Sequence, residues 1–98
     1  MDYRVRIHRR VINLIRSWNL PDEIQEEVSI HLNRVLPADL DHNLSRETSP
    51  YDGLVCSFSR RDLHVKGREH EFIFHVFFSD DEQFLRIENG SYNRADGV

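Results

Sequence analysis

Apolar and polar residues alternate most regularly between residues 70 and 90. In the first half of this stretch every second residue is apolar, namely Phe72, Phe74, Val76 and Phe78. The alternation stops at residues 79–82, which read Ser-Asp-Asp-Glu, and resumes after them. A period of two is typical of half-buried strands, so the pattern predicts a β-hairpin around a four-residue loop.

A loop of that length also predicts the pairing of the two strands. It places Val76 opposite Leu85 and Phe74 opposite Ile87, so that all four residues share one face. That face should bury against the rest of the fold, because shifting the register by one residue would turn the whole set toward solvent. The other face carries residues of mixed character: Ile73, His75 and Phe77 opposite Glu88, Arg86 and Phe84.

A strand and two helices are predicted before this hairpin. Residues 3–7 alternate as a half-buried strand does, and apolar residues at helical spacing predict a helix over 8–18. A second helix is predicted to start at Pro21, where its missing N–H costs nothing, and to end at Pro37. Its predicted inner face consists of Ile24, Val28, His31 or Leu32, and Val35. The link between the helices is so short that they should form an antiparallel hairpin.

The rest of the chain completes an α+β prediction. Residues 38–53 are rich in polar and turn-forming types and predict a long surface connection. Residues 54–60 alternate again, with Leu54, Cys56 and Phe58 predicted to face inward. The predicted order is therefore an N-terminal strand, an antiparallel helix hairpin and a three-stranded antiparallel meander, with the helices packed on one face of an antiparallel sheet.

Length and composition change this picture little. A chain of 98 residues predicts one domain spanning 1–98, and a net charge of −4 argues against indiscriminate nucleic-acid binding. The single cysteine excludes an internal disulfide, and no apolar run approaches a membrane span or a signal peptide, so a cytoplasmic location is expected. The six histidines lack ligand spacing, so we expect neither a metal nor a cofactor.

Three connecting segments give the chain a resemblance to a known family. "PADLDHNL" follows the second helix, "SPYDGL" leads into the strand after it, and "GSYNR" follows the last strand. With this element order and length, the chain resembles the RelE/ParE family of bacterial type II toxins. The resemblance implies a helix-free, concave sheet face that meets the target, and a cognate antitoxin that neutralises the protein. RelE-like members cut messenger RNA in the ribosome, whereas ParE-like members poison DNA gyrase.

The residues that RelE-like nucleases use for cleavage are not matched. The resemblance implies basic side chains on the open face of the second strand and an arginine early in the third, to bind and stabilise the phosphate. Here those positions hold Val55, Ser57 and Glu71, and a carboxylate would repel phosphate. Only Tyr92 and Arg94 lie in the expected C-terminal region, in the reverse order. The resemblance therefore implies a divergent member without the usual catalytic residues.

Three groups of residues are candidates for function. The stretch between strands two and three carries a basic set, Arg60, Arg61, Lys66 and Arg68, which either contacts a polyanion or acidic partner or forms a solvated loop. His75 opposite Arg86, with Glu88 near and Tyr92 and Arg94 beyond, forms either an acid–base cluster or a cross-strand polar pair. Ile73, Phe77 and Phe84 form either an exposed binding patch or a surface covered by the chain itself.

Three functional hypotheses follow from these candidates. The first is a toxin-like component of a bacterial toxin–antitoxin system that acts through protein binding on the open sheet face. The second is a ribosome-dependent mRNA endonuclease with a displaced basic set, namely Arg60, Arg61, Lys66, Arg68, Arg86 and Arg94. The third is a non-toxic interaction module of the same fold. The partners implied are an antitoxin and either the ribosome with its mRNA or DNA gyrase, and no membrane.

Overall fold

The computed structural model describes residues 3–47, 53–78 and 84–96. The described residues form five strands and four α-helices. The strands are β1 (Arg4–Ile7), β2 (Ser45–Glu47), β3 (Gly53–Arg61), β4 (Arg68–Phe78) and β5 (Phe84–Asp96). The helices are α1 (Arg9–Ser17), α2 (Asp22–Ile30), α3 (Leu36–Ala38) and α4 (Leu40–Asn43), and a π-helical segment (His31–Val35) joins α2 to α3. The predicted loop at 79–82 lies outside the described residues.

The sheet has the strand order β1-β5-β4-β3-β2 and is mixed. Neighbouring strands from β2 to β5 pair antiparallel, but β1 pairs parallel with β5. The α+β class predicted from the sequence is confirmed, whereas the expectation of a wholly antiparallel sheet is wrong. The predicted connection over 38–53 is also wrong in part, because it contains α4 and β2. Asn43 fixes α4 by donating from its side chain to the carbonyls of Val35 and Asp39, at 2.9 and 2.8 Å.

The helix-side face of the hairpin is the predicted one, but its register is not. Val76 lies opposite Ile87, two residues beyond its predicted partner. A bulge between His75 and Val76, where Glu88 has no opposite residue, then places Phe74 opposite Gly90, three residues beyond its predicted partner. Leu85 and Ile87 therefore stay inside as predicted, while Gly90 and Tyr92 take the inward positions beyond the bulge. Phe72, Phe74, Val76, Leu85 and Ile87 are all at most 2% exposed.

Close packing over Gly90 explains this register. A Cβ atom at residue 90 would lie 2.6 Å from Cδ1 and 2.8 Å from Cε1 of the Phe74 ring, which is too close for any side chain. The ring can occupy this space only because residue 90 is glycine. Phe74 therefore selects Gly90 as its partner on β5.

We expect Gly90→Ala to lower the free energy of unfolding by about 1–3 kcal/mol, because the methyl group displaces a buried ring in a packed core. Gly53→Ala is the matched control, since a Cβ there meets no atom within 4 Å. It should leave stability unchanged or raise it by about 0.4–1 kcal/mol. Urea unfolding of both variants measures the difference, and equal stabilities would show that Phe74 does not depend on the glycine.

The second helix departs from its predicted inner face at its end. The N–H of Leu36 donates to the carbonyl of His31, five residues earlier, which is the spacing of a π turn. The wider turn moves the inward position from Val35, which is 39% exposed, to Leu36, which is fully buried. Pro37 was expected to end the helix, but the helical backbone continues through it to Ala38.

The hydrophobic core lies between the helices and one face of the sheet. Val11 of α1, Ile24 and Val28 of α2, and Leu32 and Leu36 pack against the buried residues of β3, β4 and β5. Side chains from β1, with Trp18 and Phe58, close its margins. Cys56 is fully buried in this core, as predicted, and burial raises the pKa of its thiol to about 11. The thiol is therefore kept from acting as a thiolate near neutral pH.

Candidate interaction surface on the helix-free face

The face of the sheet opposite the helices carries every second residue of four strands, and we call it the open face. The residues on this face are identified by the alternation of each strand, because their neighbours along the strand are the buried ones. They are Arg4 and Arg6 on β1, Val55, Ser57, Ser59 and Arg61 on β3, Glu69, Glu71, Ile73, His75 and Phe77 on β4, and Phe84, Arg86, Asn89, Ser91 and Asn93 on β5. Charges and apolar residues are unevenly distributed over this face.

Ile73, Phe77 and Phe84, which we call the apolar patch, lie on the open face as predicted. Ile73 is 38% and Phe77 is 43% exposed, so these two large apolar side chains are accessible to a partner. Phe84 is partly covered, because the guanidinium carbon of Arg6 lies 4.0 Å from its ring centroid. Val55, also predicted on this face, is only 2% exposed and offers no contact.

Arginines from two strands, with His8 at the N-cap of α1, form a basic corner beside the apolar patch. Arg4 and Arg6 on β1 flank Phe84 and Arg86 on β5, and the register places Arg6 directly opposite Arg86. Arg6, His8, Arg86 and Glu88 line a depression of about 250 Å³ at this corner. Arg86 donates to Glu88 at 2.9 Å and also lies 6.0 Å from the ring of Phe77. The basic corner, defined as Arg4, Arg6, His8 and Arg86, therefore borders directly on the apolar patch.

The sequence held a signal for this corner that our residue-by-residue interpretation missed. Residues 3–21 contain five arginines and not one acidic residue, in a chain whose net charge is −4. The sequence analysis instead names Arg60, Arg61, Lys66 and Arg68 as the candidate contact for a polyanion or an acidic partner. An acid-free run of this length in an acidic protein is a stronger signal than a mixed run of both signs.

The opposite end of the open face is polar and acidic. Ser57, Ser59, Glu69, Glu71, Ser91 and Asn93, together with Ile73, line a shallow depression of about 450 Å³. Glu71 lies between Ser59 and Asn93 in the register. Two carboxylates in this depression disfavour a phosphate there. Eight residues separate Glu69 from Phe77 along β4, so these two positions lie about 27 Å apart, and Ile73 of the apolar patch lies between them and lines the depression.

The four catalytic candidates from the sequence do not converge. His75 is half-buried and lies opposite Val55 and Asn89, whereas Arg86 lies opposite Phe77. Tyr92 follows the bulge and faces the helices, and the Arg94 guanidinium pairs with Asp96 at 3.4 Å. The expected pairing of His75 with Arg86 is therefore wrong, because Phe78 pairs with Leu85, two residues further along β5 than a four-residue loop predicts, and this places Arg86 opposite Phe77.

The structure instead joins three polar side chains that the sequence did not connect. The ring of His70 is 3% exposed and lies between Asp62 and Tyr92. His70 Nε2 lies 2.8 Å from Asp62 Oδ2, and His70 Nδ1 lies 2.6 Å from the Tyr92 hydroxyl. No local pattern predicts this arrangement, because the three residues meet only through the register of β3, β4 and β5. We call it the Asp62-His70-Tyr92 chain.

Hydrogen bonding in this chain fixes both the orientation of the His70 ring and the turn between β3 and β4. His70 Nε2 donates to the Asp62 carboxylate, which can only accept, and the Tyr92 hydroxyl is the hydrogen-bond partner of Nδ1. The other Asp62 oxygen accepts the backbone N–H groups of His64 and Val65, at 2.8 and 2.9 Å. The His70 hydrogen bond and these backbone donors lower the pKa of Asp62 to about 2, while burial raises the pKa of Tyr92. Buried from solvent and fully hydrogen-bonded, His70 stabilises the turn and cannot reach a substrate.

Most of the basic set between β3 and β4 is paired with carboxylates. Arg61 lies 3.8 Å from Glu69, Arg68 donates to Asp96 at 2.7 Å, and Lys66 is exposed at the turn. Arg60 turns to the helix side, where its guanidinium lies 3.4 Å from Glu27. The set therefore surrounds one end of the molecule, far from the apolar patch, and forms no single basic surface.

Arg60 also contacts a buried histidine at the start of the π-helical segment. Its Nη2 lies 3.1 Å from Nδ1 of His31, whose ring stacks on Phe58 with centroids 3.8 Å apart. Burial, and then the charge of Arg60, lower the pKa of His31 to about 4. His31 is therefore a neutral core residue that accepts from Arg60, and it belongs to the interior.

Comparisons with protein-family models, with curated proteins and with solved structures found no match to this chain. Among the described residues, no three histidine, cysteine, aspartate or glutamate side chains are grouped so as to hold a metal ion. None of the described helices is both long and apolar enough to cross a membrane.

Proposed function

We propose that this chain is a divergent RelE/ParE-like toxin protein that acts in the cytoplasm by binding a protein partner through its open face. The observation that carries the proposal is the apolar patch beside the basic corner, on a sheet face that no described helix covers. The element order supports the resemblance in part, since β1, α1 and α2 come first and the antiparallel strands β3, β4 and β5 come last, with α3, α4 and β2 between them.

Exposed aromatic residues with a charged surround favour binding over a purely structural role. Interface energy concentrates in a few aromatic and arginine side chains within a polar rim. Phe77 and Phe84 are the aromatic candidates, and Arg6 and Arg86 contact their rings. Since each ring lies beside a guanidinium, a partner that covers the patch also meets positive charge.

We do not extend the proposal to mRNA cleavage. A phosphoryl-transfer site needs cations and a proton-transfer group that converge on one phosphate. Here the six residues of the displaced basic set do not converge, since Arg86 lies at the basic corner and the others lie at the opposite end of the molecule. Glu69 and Glu71 occupy the depression on the open face. The third hypothesis, a non-toxic interaction module, uses the same surface and differs only in its effect on the cell.

Expression with and without the product of the adjacent open reading frame tests the proposal. We expect expression of the chain alone to slow growth, the adjacent product to restore it, and the two proteins to co-purify. Co-purification without slowed growth would support the non-toxic module. If neither occurs, the toxin proposal is wrong, and primer extension showing induced cleavage of translated messages would replace it with the nuclease.

Phe77→Ala should weaken binding of the co-purifying partner by about 1–3 kcal/mol, mainly through faster dissociation, because an apolar anchor is lost. Leu63→Ala is the control, since Leu63 is 69% exposed but lies in the turn between β3 and β4, at the other end of the molecule. Surface-based kinetic measurements on both variants check this. Equal affinity of Phe77→Ala and the wild type would remove the apolar patch from the interface.

A further inference from the structure

Like charges lie next to each other at the basic corner, as far as the described residues show. Arg6 and Arg86 are directly opposite each other in a parallel strand pair, and like charges in that position destabilise a sheet. The first turn of α1 has no acidic residue and contains Arg9 and Arg10, although the positive end of a helix dipole favours carboxylates. Among the described residues, Arg86 bonds to the Glu88 carboxylate, which offsets part of this charge, and Arg10 donates to the Glu88 carbonyl at 2.7 Å.

The guanidinium groups at the corner are held by contacts that leave them accessible. Arg6 lies over the ring of Phe84, and the side chain of Arg86 is 48% exposed while it bonds to Glu88. Stacking on an aromatic ring orients a planar guanidinium without using its N–H donors. Arg6 and Arg86 therefore present donors beside the 250 Å³ depression, in a form that suits bidentate recognition of carboxylates.

We propose that the basic corner binds carboxylates of an extended protein segment whose apolar side chains occupy the apolar patch. The inference rests on the proposed function and names the chemistry of its partner: acidic residues over Arg6 and Arg86, then apolar anchors over Phe77 and Ile73. Phe77 is the register neighbour of Arg86, so one short segment reaches both. Toward Glu69 and Glu71 the segment carries neutral or basic residues, because acidic ones would be repelled there.

The charge pattern of the open face favours a protein over a nucleic acid. A single strand of nucleic acid carries a phosphate at every nucleotide and would extend from the basic corner over the carboxylates of Glu69 and Glu71. A protein segment places its charges only where the surface complements them. The two readings predict opposite preferences between an acidic peptide and an oligonucleotide.

Fluorescence anisotropy with defined probes tests the proposal. The probes are a labelled peptide of four glutamates, four leucines and four serines in that order, the analogue with lysine in place of glutamate, and a labelled dT15 oligonucleotide. The protein variants are R6Q/R86Q and, as the matched control, R61Q/R94Q, which removes the same charge at the other end of the molecule. Melting temperatures of both double variants confirm that they are folded.

We expect the glutamate–leucine peptide to bind and the lysine–leucine peptide to bind at least tenfold more weakly. R6Q/R86Q should reduce affinity for the acidic peptide about tenfold and flatten its salt dependence, whereas R61Q/R94Q should change it less than about twofold. Tighter binding of dT15 than of the peptide would overturn the proposal in favour of nucleic acid. Equal losses in both double variants, or no peptide binding, would also overturn it.

This experiment and the growth test fail independently. The peptide assay needs neither toxicity nor an adjacent gene, so a chain that does not slow growth can still bind the acidic peptide through Arg6 and Arg86. Conversely, a toxic chain whose adjacent product binds unchanged to R6Q/R86Q would retain the proposed function and lose this inference.

Discussion

Phe74→Ala is expected to lower the free energy of unfolding by about 3–5 kcal/mol, the largest effect of any single substitution considered for this chain. Phe74 is fully buried, and its ring packs 6.0 Å from the rings of both Trp18 and Phe58. Truncation would remove these contacts and leave a cavity over Gly90, which has no side chain to fill it. Small domains have about 5–15 kcal/mol of stability, so a large fraction of the population would unfold at elevated temperature.

Phe78→Ala provides the comparison for this measurement. Phe78 lies on the same strand and its ring contacts Tyr3, but its side chain is 37% exposed. Phe78→Ala should therefore lower the free energy of unfolding clearly less than Phe74→Ala does. Urea unfolding monitored by Trp18 fluorescence reports both variants, because Trp18 lies beside the site of the cavity. A Phe74→Ala protein as stable as Phe78→Ala would show that the hairpin does not form the centre of the core.

The buried face of the hairpin could be predicted from the sequence because it depends on a period of two, which survives any even shift. The register could not, because the fit of Phe74 over Gly90 and the bulge at Glu88 are contacts between strands, and local alternation does not report them. The error in the predicted register also affected the predicted catalytic residues. Moving Arg86 away from His75 removed the only acid–base cluster that the sequence suggested.

Short and unusual elements were missed for a different reason. β2 has three residues and pairs only with the first three residues of β3, so its pattern is too short to distinguish from a loop. The π turn adds one residue to a helical repeat, so that Leu36 rather than Val35 faces the core. The composition of the segment gives no sign of this change. The parallel pairing of β1 with β5 joins opposite ends of the chain, and nothing in either strand alone specifies its direction.

The apolar patch was predictable and the basic corner was predictable in principle, whereas the Asp62-His70-Tyr92 chain was not. Ile73 and Phe77 interrupt an otherwise polar alternation, and residues 3–21 lack acidic residues, so both features can be identified in the amino-acid sequence. Asp62, His70 and Tyr92 are separated by eight and twenty-two residues and meet only after folding. Their effect on stability is therefore the strictest test of the structure.

His70→Leu should lower the free energy of unfolding by about 1–3 kcal/mol at neutral pH, because it leaves the Tyr92 hydroxyl unpaired in a half-buried position and removes a donor from the Asp62 carboxylate. Tyr92→Phe removes only one of these hydrogen bonds, so it should lower the free energy of unfolding less than His70→Leu does. Urea unfolding at pH 7 ranks the two variants. If both are as stable as the wild type, the chain does not contribute to folding.

The pH dependence of stability should identify the contribution of Asp62. Its pKa is lowered to about 2 in the folded protein, first by the hydrogen bond with His70, so the ionised form is favoured by folding. The stabilisation is fully present above the ordinary carboxyl pKa near 4 and is lost as the pH falls from there through about 2. Glu23 and Asp96 also have lowered pKa values, from bonds with His64 and Arg68, so acid should weaken the wild type through several groups.

The difference in stability between the wild type and Asp62→Asn isolates the contribution of Asp62. We expect that difference to shrink between pH 4 and pH 2.5 in urea unfolding. It should shrink less in the His70→Leu background, where the main cause of the lowered pKa has been removed. A difference that does not change with pH in either background would mean that His70 does not stabilise the Asp62 carboxylate.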